Sequence, residues 1–340
     1  MRDKELELNF AVVTQSGETV PSIFEKKTTA KYLNWGEYNQ LPNYLWDSYL
    51  KNSNMQAIVN TTIDYIIGEE FTTNAPIDED TISSIINDYI IFGGYAVECL
   101  RNSFGNICKI NYLNIMNLRV DEDLTTAYIS DQWMKYSGKN VKTLPLFNPD
   151  EKQSHFIYFY RGNITRNIYP IPTYIGALKS IEILNEVREF HLNNLQNNFS
   201  ASCIVNLNCS GNIKQRELQE IKEKLQEQHT GTHGAGTFLL INSPDKDHAA
   251  TVEKLNQDDF GDMYKALDES SKEDIFTAFR INPMLLGVNV QTGFSKEEFQ
   301  QAAALYNSTT IRPLRRNIKK SFEKLGYEID FKDIKINWGE

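Results

Sequence analysis

The segment spanning residues 275–325 constrains the fold of this chain most, because it joins two helical patterns through an apolar loop. The first pattern ends before Pro283. The second begins at Ser295, and Glu298 three residues later completes the signature of a capping box. Residues 283–294 between them include several large apolar side chains and no charged one. We expect this loop to dock on its own domain or to contact another subunit, because exposed apolar surface of this extent is unfavourable in water.

The helix predicted over residues 295–325 has an apolar face and a basic second half. Pro313 has no backbone N–H to donate, so we expect a kink there. The basic half contains Arg312, Arg315, Arg316, Lys319, Lys320 and Lys324. Two interpretations are open. These cations are either a solvated helix end, where positive charge complements the helix dipole, or a contact with nucleic acid or with a neighbouring subunit.

Composition excludes several classes of protein. With 340 residues and 41% hydrophobic residues, the chain can bury a core and is not a disordered protein. A formal net charge of −10 argues against a protein that binds nucleic acid over a broad surface. No apolar run is long enough to span a membrane, and the N-terminus is not a signal peptide. Cys99 and Cys108 lie in strand-like runs and are expected to be buried free thiols.

The first half of the chain predicts an α+β domain over residues 40–170, after a polar arm over residues 1–40. Amphipathic helices come first and a mostly antiparallel sheet follows, beginning with a β-hairpin. The interval 131–152 is rich in turn residues. The helices are predicted at 42–67, broken near 52–54, and at 78–92; the strands at 95–101, 107–113, 117–120, 126–129 and 155–160.

The second half alternates long helices with short strands. Residues 173–198 follow a proline-containing linker and predict one helix roughly 39 Å long. Its apolar stripe includes Ile181, Leu184, His191 and Leu192. Further elements are predicted as a strand at 200–207, a charged helix at 214–228, a strand at 237–241, a helix at 258–279 and a strand or irregular tail at 328–336.

Motifs for catalysis or metal binding do not stand out. The glycine-rich run 231–236 leads into a strand and has no Gly-Lys-Ser/Thr, so a flexible turn is favoured over a phosphate loop. His229 and His233 are separated by Gly231 and lack an HExxH glutamate, which favours loop histidines over a metal site. We therefore predict no catalytic residue, no cofactor and no metal.

The order of several short motifs resembles the portal proteins of tailed bacteriophages, including the HK97-type group. IFTAFRINPMLLG at 275–287 is very similar to the family pattern I-x-x-A-F-x-V-P-P-x-L-L-G, and TIRPL at 310–314 to T-I-x-P-L. Asn282 replaces the first proline of that pattern, and Lys296 stands where the family often has Asn. Further matches in the same order, between residues 85 and 325, are FGGYAVE at 92–98, INYL at 110–113, LRV at 118–120, IGAL at 175–178 and GAGTFLL at 234–240.

The resemblance implies a portal fold: an α/β wing, two long stem helices, a small α/β clip, and a kinked long helix after a tunnel loop. On this chain the wing would be 41–172 together with helix 295–325, the stem helices 173–199 and 257–280, and the clip 200–256. Residues 326–340 would be a short tail or a minimal crown. The tunnel loop, 281–294, would line the channel with Pro283, Met284, Leu285, Leu286, Val288, Asn289, Val290 and Gln291.

It also implies a function without enzymatic activity. Twelve copies would form a ring at one capsid vertex, and phage double-stranded DNA would pass through it during packaging and ejection. The implied partners are the terminase large subunit, the major capsid and scaffold proteins, and the head–tail adaptor, with no membrane. The expected location is the virion, and the bacterial host cytoplasm during assembly, encoded by a phage or a prophage.

Two other classes of function are compatible with the residues. A nucleic-acid-binding or nucleic-acid-processing protein would use the basic helix 312–324 and would bind in a strongly salt-dependent way. A cytosolic scaffold would form the oligomer but would have no channel for DNA.

Overall fold

The computed structural model describes residues 21–24, 26–27, 31–133, 139–162, 167–196, 204–208, 239–243, 258–287 and 295–335. The chain divides into two compact units. Unit 1 comprises Met1–Asp47, Ile66–Pro172 and Arg315–Glu340, and unit 2 comprises Ser48–Tyr65 and Thr173–Leu314. Both units combine segments that are distant in sequence, so neither core can be assembled from one continuous stretch.

Short antiparallel sheets form the β-structure of unit 1. The strands are β1 (Lys26–Lys27), β2 (Leu33–Asn34), β3 (Phe71–Thr73), β4 (Gly94–Arg101), β5 (Ile107–Leu113), β6 (Leu118–Val120), β7 (Thr126–Ile129), β8 (Lys142–Pro145), β9 (His155–Arg161) and β12 (Ile329–Phe331). One sheet has the order β5-β4-β9, a second has the order β6-β7-β8, and two further strand pairs join β1 to β2 and β3 to β12. The mixed α/β content agrees with the predicted class.

The helices of the described residues are α1 (Leu41–Lys51), α2 (Ser53–Ile67), α3 (Glu79–Phe92), α4 (Leu178–Gln196), α5 (Asp258–Phe279), α6 (Lys296–Tyr306) and α7 (Arg312–Glu323). The predicted break near residues 52–54 is confirmed, because α1 ends at Lys51 and α2 begins at Ser53. The helix predicted over 173–198 is an α-helix from Leu178, preceded by a 3₁₀ turn at Ile175–Ala177.

Helix α3 shows how local sequence sets the boundaries of an element in unit 1. Asp78 caps its start by accepting a hydrogen bond from the Thr81 amide at 2.8 Å. Gly93 ends it with φ of +82°, a left-handed conformation that suits glycine. A Cβ at Gly93 would lie 2.5 Å from the Ile171 carbonyl oxygen, so space as well as conformation requires glycine. The chain then enters β4 directly at Gly94.

The predicted hairpin is confirmed: β4 pairs antiparallel with β5, and β9 pairs with the other edge of β4. Four strands in the described part of the chain were not predicted: the two-residue strands β1 and β2 within the expected arm, and the strands β3 and β8. β3 has only three residues, and β8 lies in the interval that was expected to contain turns. Both are short edge strands with mostly exposed or half-exposed residues, so neither shows the apolar alternation on which a strand prediction depends.

The two strand-borne cysteines differ in environment. Cys99 is buried in the central strand β4, as predicted, and burial raises the pKa of its thiol to about 12. The prediction for Cys108 is wrong, because that thiol is exposed. β5 is an edge strand, and Cys108 lies at the irregularity in its pairing with β4, where Leu100 pairs with Lys109 and Arg101 with Ile107.

A buried aromatic and cationic cluster joins residues 31–40, the end of the expected arm, to the rest of unit 1. The Trp35 ring stacks on Tyr169 with centroids 4.7 Å apart. The Arg119 guanidinium lies over the Trp133 ring at 4.9 Å and donates to the carbonyl oxygens of Met116 and Leu118. Burial lowers the pKa of Arg119 to about 10. The end of the arm is therefore part of the unit 1 core.

Helix α7 from Arg315 onward, and the strand after it, complete unit 1. The Ser321 and Tyr95 hydroxyls form a hydrogen bond, and Asn317 Nδ2 donates to the Tyr89 hydroxyl at 3.0 Å. β12 pairs with β3, with Ile329 opposite Thr73. The region predicted as a strand or a tail therefore contains a strand, held against the segment that follows α2.

The described residues of unit 2 are mostly helical and include one strand pair. Within it α4 and α5 run antiparallel: Ser180 Oγ donates to Asp274 Oδ2 at 2.8 Å near one end, and Phe190 packs on Tyr264 near the other, with centroids 5.0 Å apart. The strands β10 (Ile204–Asn208) and β11 (Leu239–Ser243) pair in parallel. Parallel pairing needs a long connection between the two strands, and they are far enough apart in sequence to allow one. The charged helix predicted at 214–228 lies outside the described residues.

Candidate functional site

The segment after α5 forms an ordered turn that the local sequence explains. The helix ends at Phe279, Arg280 adopts φ of +56°, and the Ile281 amide donates to the Phe276 carbonyl at 3.1 Å. This reversal directs the chain out of the helix. It is the kind of C-terminal cap that usually has glycine at the left-handed position, and arginine occupies that position here.

Asn282 and Pro283 then begin a 3₁₀ turn at Pro283–Leu286. The Asn282 side chain accepts a hydrogen bond from the Met284 amide at 2.9 Å, and Pro283 occupies the first turn, where no backbone donor is needed. Gly287 ends the turn with φ of +69°. Asn282, the departure from the family's double proline, is therefore the cap of this turn.

The apolar side chains of the turn divide between the unit 2 core and the solvent. Ile281 and Leu285 are buried, and just before them Phe279 stacks on Tyr174 with centroids 4.7 Å apart. Met284 and Leu286 are only half-buried, as is Pro283. Of the residues predicted for the channel, Leu285 therefore packs inside its own unit. Val288, Asn289, Val290 and Gln291 lie outside the described residues.

The capping box predicted after the loop is confirmed. Ser295 Oγ accepts from the Glu298 amide at 3.1 Å, and Glu298 Oε2 accepts from the Ser295 amide at 3.0 Å. Helix α6 starts there and ends at Tyr306, whose hydroxyl lies 2.7 Å from Thr62 Oγ1 inside unit 2. The cap explains why the helix begins at Lys296.

An irregular turn lies just before Pro313, the residue at which a kink was expected. A π-helical turn, Asn307–Ile311, precedes α7, and the Arg312 amide donates to the Asn307 carbonyl five residues earlier. Pro313 lies at the second position of α7 and has no N–H to donate to the preceding turn. The π turn therefore coincides with the place where the normal hydrogen-bond ladder loses a donor.

The structure separates the five candidate contact residues of the basic helix into two groups. Arg315 is buried: its guanidinium donates to the carbonyl oxygens of Ile66 at 2.8 Å and Lys332 at 3.1 Å, and it forms an ion pair with Asp333. Lys319 forms an ion pair with Asp330. The remaining three, Arg312, Arg316 and Lys320, have exposed side chains.

The apolar stripe predicted for α4 is confirmed in its first half only. Leu178, Ile181, Leu184 and Val187 are buried, whereas His191 and Leu192 are exposed. Phe190 and Ile183, which were not part of that stripe, are exposed at 43% and 40%. The predicted stripe left both residues unassigned, so this outer face was not predicted. The spacing of seven between Ile183 and Phe190 was the available signal.

Groups that could perform chemistry are scarce in the described part of the chain. No set of three or more His, Cys, Asp or Glu side chains lies close enough to hold a metal ion among these residues. Asp88 is buried, and burial raises the pKa of its carboxyl group to about 7, although it accepts hydrogen bonds from the Tyr112 hydroxyl and the Ile115 amide. These contacts join α3 to β5 and to the turn that follows it, which is a structural role.

Among the described residues, no helix is sufficiently long and apolar to cross a bilayer.

Comparison with known proteins identifies relatives along most of the chain. The family model described as "Phage portal protein" matches residues 77–338. An uncharacterized protein of Rickettsia bellii (strain RML369-C) is 21% identical over 295 residues, which cover 85% of this chain and 73% of that protein.

Two similar solved structures come from gene transfer agent (GTA) particles. One is a chain in the neck of a native GTA particle computed with C12 symmetry, with a TM-score of 0.56 and 13% identity over 84% of this chain and 82% of that chain. The other is a chain in the virion of a native GTA particle, with a TM-score of 0.55 and 13% identity over 86% of this chain and 83% of that chain.

Proposed function

This chain belongs to the phage portal protein family, and from that premise we propose that twelve copies form a ring with a central channel at one capsid vertex. Double-stranded DNA passes through this channel during packaging and ejection. The observation that carries the proposal is the family match over residues 77–338, which covers most of both compact units. The similarity in fold to a neck chain of a particle computed with C12 symmetry supports a ring of twelve.

The domain roles follow the order of elements. Residues 41–172 and helix 295–325 are assigned to the wing, 173–199 and 257–280 to the stem, and 200–256 to the clip. The antiparallel packing of α4 on α5 supports the stem assignment, because two long helices side by side are suited to a channel wall. The parallel pair of β10 and β11 comes between those two helices in sequence and supports a small α/β clip. Residues 326–340 form a short tail or minimal crown.

The channel surface is assigned to the loop 281–294. The turn Pro283–Leu286 is uncharged, and Pro283, Met284 and Leu286 are partly accessible. This accessibility supports contact between the turn and DNA that passes through the channel. An uncharged constriction does not form ion pairs with phosphates and so does not retain DNA electrostatically. The net charge of −10 acts in the same direction, since an acidic surface repels DNA rather than binding it.

The proposed partners are the terminase large subunit during packaging, the major capsid and scaffold proteins around the ring, and the head–tail adaptor afterwards. The proposed location is the portal vertex of the virion, and the host cytoplasm during assembly, from a phage or prophage gene. The role is structural: the packaging motor supplies ATP hydrolysis, and the ring supplies the channel.

The alternative, a nucleic-acid-binding or nucleic-acid-processing protein that uses helix 312–324, is not favoured by the family match. The contacts within unit 1 also weigh against it. Arg315 and Lys319, two of the five cations that it would use, form ion pairs with Asp333 and Asp330.

Negative-stain electron microscopy of the purified chain tests the proposal directly. We expect rings with a central hole, together with no ATP hydrolysis in the absence of a separate motor. A chain that stays monomeric at high concentration and hydrolyses ATP by itself would contradict a portal function.

A further inference from the structure

Helix α7 has two faces with different roles. Ile318 and Phe322 point into unit 1 and are fully buried. Arg316, Lys320 and Lys324, the last just past the end of the helix, recur every four residues and are all exposed. Residues four apart lie on one helical face, and at ~1.5 Å per residue these three span about 12 Å. We call them the basic row.

The positive charge of the basic row is not compensated within the described residues. Arg315 and Lys319, on the same helix, each have an aspartate partner from the segment that follows it. Arg316, Lys320 and Lys324 make no ion pair or hydrogen bond with the described part of the chain. The row is therefore available to an anionic partner.

The outer face of α4, in unit 2, has the opposite sign. Glu186 and Glu189 are exposed, Glu182 is half-exposed, and the exposed apolar side chains Ile183 and Phe190 lie among them. We call these five residues the acidic face. Its carboxylates extend over about 10 Å of helix, close to the length of the basic row. Apolar side chains surrounded by charges are typical of a protein contact.

We propose that the basic row of one copy contacts the acidic face of α4 in the next copy around the ring. This inference rests on the proposed function, because it requires a ring. Two different patches of opposite sign on one chain form a heterologous contact, the kind that repeats head to tail and can close into a ring. The opposite charges and similar lengths of the basic row and the acidic face identify the partner as a second copy of this chain.

The same contact explains how an acidic chain can assemble with itself. Each copy has a net charge of −10, so copies placed side by side repel one another unless patches of opposite sign meet. DNA is the less suitable partner for the basic row. The proposed channel loop 283–294 contains no charged residue, so that loop adds no cation that could hold phosphates.

A charge-reversal exchange tests the contact. One variant combines Arg316→Glu with Lys320→Glu, and a second combines Glu186→Lys with Glu189→Lys. We expect each variant alone to lose rings by about tenfold or more in native mass spectrometry, because like charges then face each other. A chain that combines all four substitutions regains rings. An equimolar mixture of the two variants also assembles, as rings in which the variants alternate.

A matched control separates this contact from a change in net charge. Lys109→Glu with Lys152→Glu makes the same change at two exposed lysines of unit 1, and this variant should form rings as the wild type does. Circular dichroism verifies that each variant is folded. Rings formed normally by the Arg316/Lys320 variant would overturn the inference, and a simultaneous loss of DNA binding would identify DNA as the partner. Failure of the fourfold variant to regain rings would also overturn it. Absence of rings from the wild type would instead refute the proposed function.

Discussion

The Nε atom of Arg315 donates to the carbonyl oxygen of Ile66 at 2.8 Å, so a cation of the basic helix caps the last turn of α2. Carbonyls in the last turn of a helix have no partner within the helix, and an arginine can supply the missing donor. The same guanidinium reaches Lys332 and Asp333. One side chain therefore connects three segments of unit 1 that are far apart in sequence.

Replacing Arg315 with alanine is expected to destabilise the chain strongly. The substitution leaves the carbonyl oxygens of Ile66 and Lys332 without this donor, and a buried acceptor without a partner costs about 1–3 kcal/mol. Arg316→Ala is the matched control, because that side chain is exposed and its loss should change the free energy of unfolding by about 0.5 kcal/mol or less. Urea denaturation measures both. Equal effects would contradict the structural role of Arg315.

Asp88 predicts a pH dependence of stability. Burial raises the pKa of its carboxyl group from 3.8 to about 7, so between these values the folded state binds a proton that the unfolded state does not. The contribution of Asp88 to the free energy of unfolding is therefore fully present below about pH 4 and is lost as the pH rises through about 7. Between pH 5 and pH 8 we expect the folded state to lose up to about 3 kcal/mol from this group.

The variant Asp88→Asn isolates that contribution. An amide oxygen can still accept from the Tyr112 hydroxyl and the Ile115 amide, but it does not ionise. The urea midpoint of the variant should change less between pH 5 and pH 8 than that of the wild type. Relative to the wild type, the midpoint of the variant should be higher at pH 8 than it is at pH 5. The same pH slope in both proteins would show that Asp88 does not titrate in this range.

Gly68 and Gly105 both have positive φ, but they differ in the space available for a side chain. Both are left-handed, at +73° and +85°. A Cβ at Gly68 would lie 1.7 Å from the Lys332 carbonyl oxygen, whereas a Cβ at Gly105 would meet no atom within 4 Å. We expect Gly105→Ala to cost about 1 kcal/mol and Gly68→Ala several times more, because only the latter must separate two backbone segments. Thermal unfolding midpoints compare the two variants, and similar shifts would refute the close approach.

Leu285 and Met284 are adjacent but should respond differently to truncation. Leu285 is buried in unit 2, so Leu285→Ala should cost about 2–3 kcal/mol of unfolding free energy. Met284 is half-buried, and Met284→Ala should cost less than half of that. Chemical denaturation of the two variants is the measurement. A larger cost at Met284 would mean that the turn packs with its other side inward.

Deleting residues 286–290 tests the channel role of the loop. We expect rings to form, because the buried anchors Ile281 and Leu285 precede the deletion, while packaging of DNA decreases in an assay with the motor and capsid. Electron microscopy establishes whether rings are present. If the deletion unfolds the protein instead, these residues belong to the core and do not form a channel loop.

Much of the secondary structure could be predicted because it depends on local signals. The capping residues Asp78 and Ser295, the break between α1 and α2, and the hairpin β4–β5 are all encoded within a few neighbouring residues. β3 and β8 could not be predicted in this way. They are short and pair at sheet edges, so the partner strand rather than their own pattern makes them strands.

Motifs such as IFTAFRINPMLLG and TIRPL identify the family, and local capping signals identify where several helices begin and end. Which residues of one chemical type face inward depends instead on the folded chain. It buries Arg315 and exposes Arg316, buries Leu285 and leaves Met284 half-exposed, and buries Cys99 but not Cys108. The physical reason is that burial depends on what packs against a residue. Those partners, such as Ile66 and Asp333 around Arg315, come from distant parts of the chain.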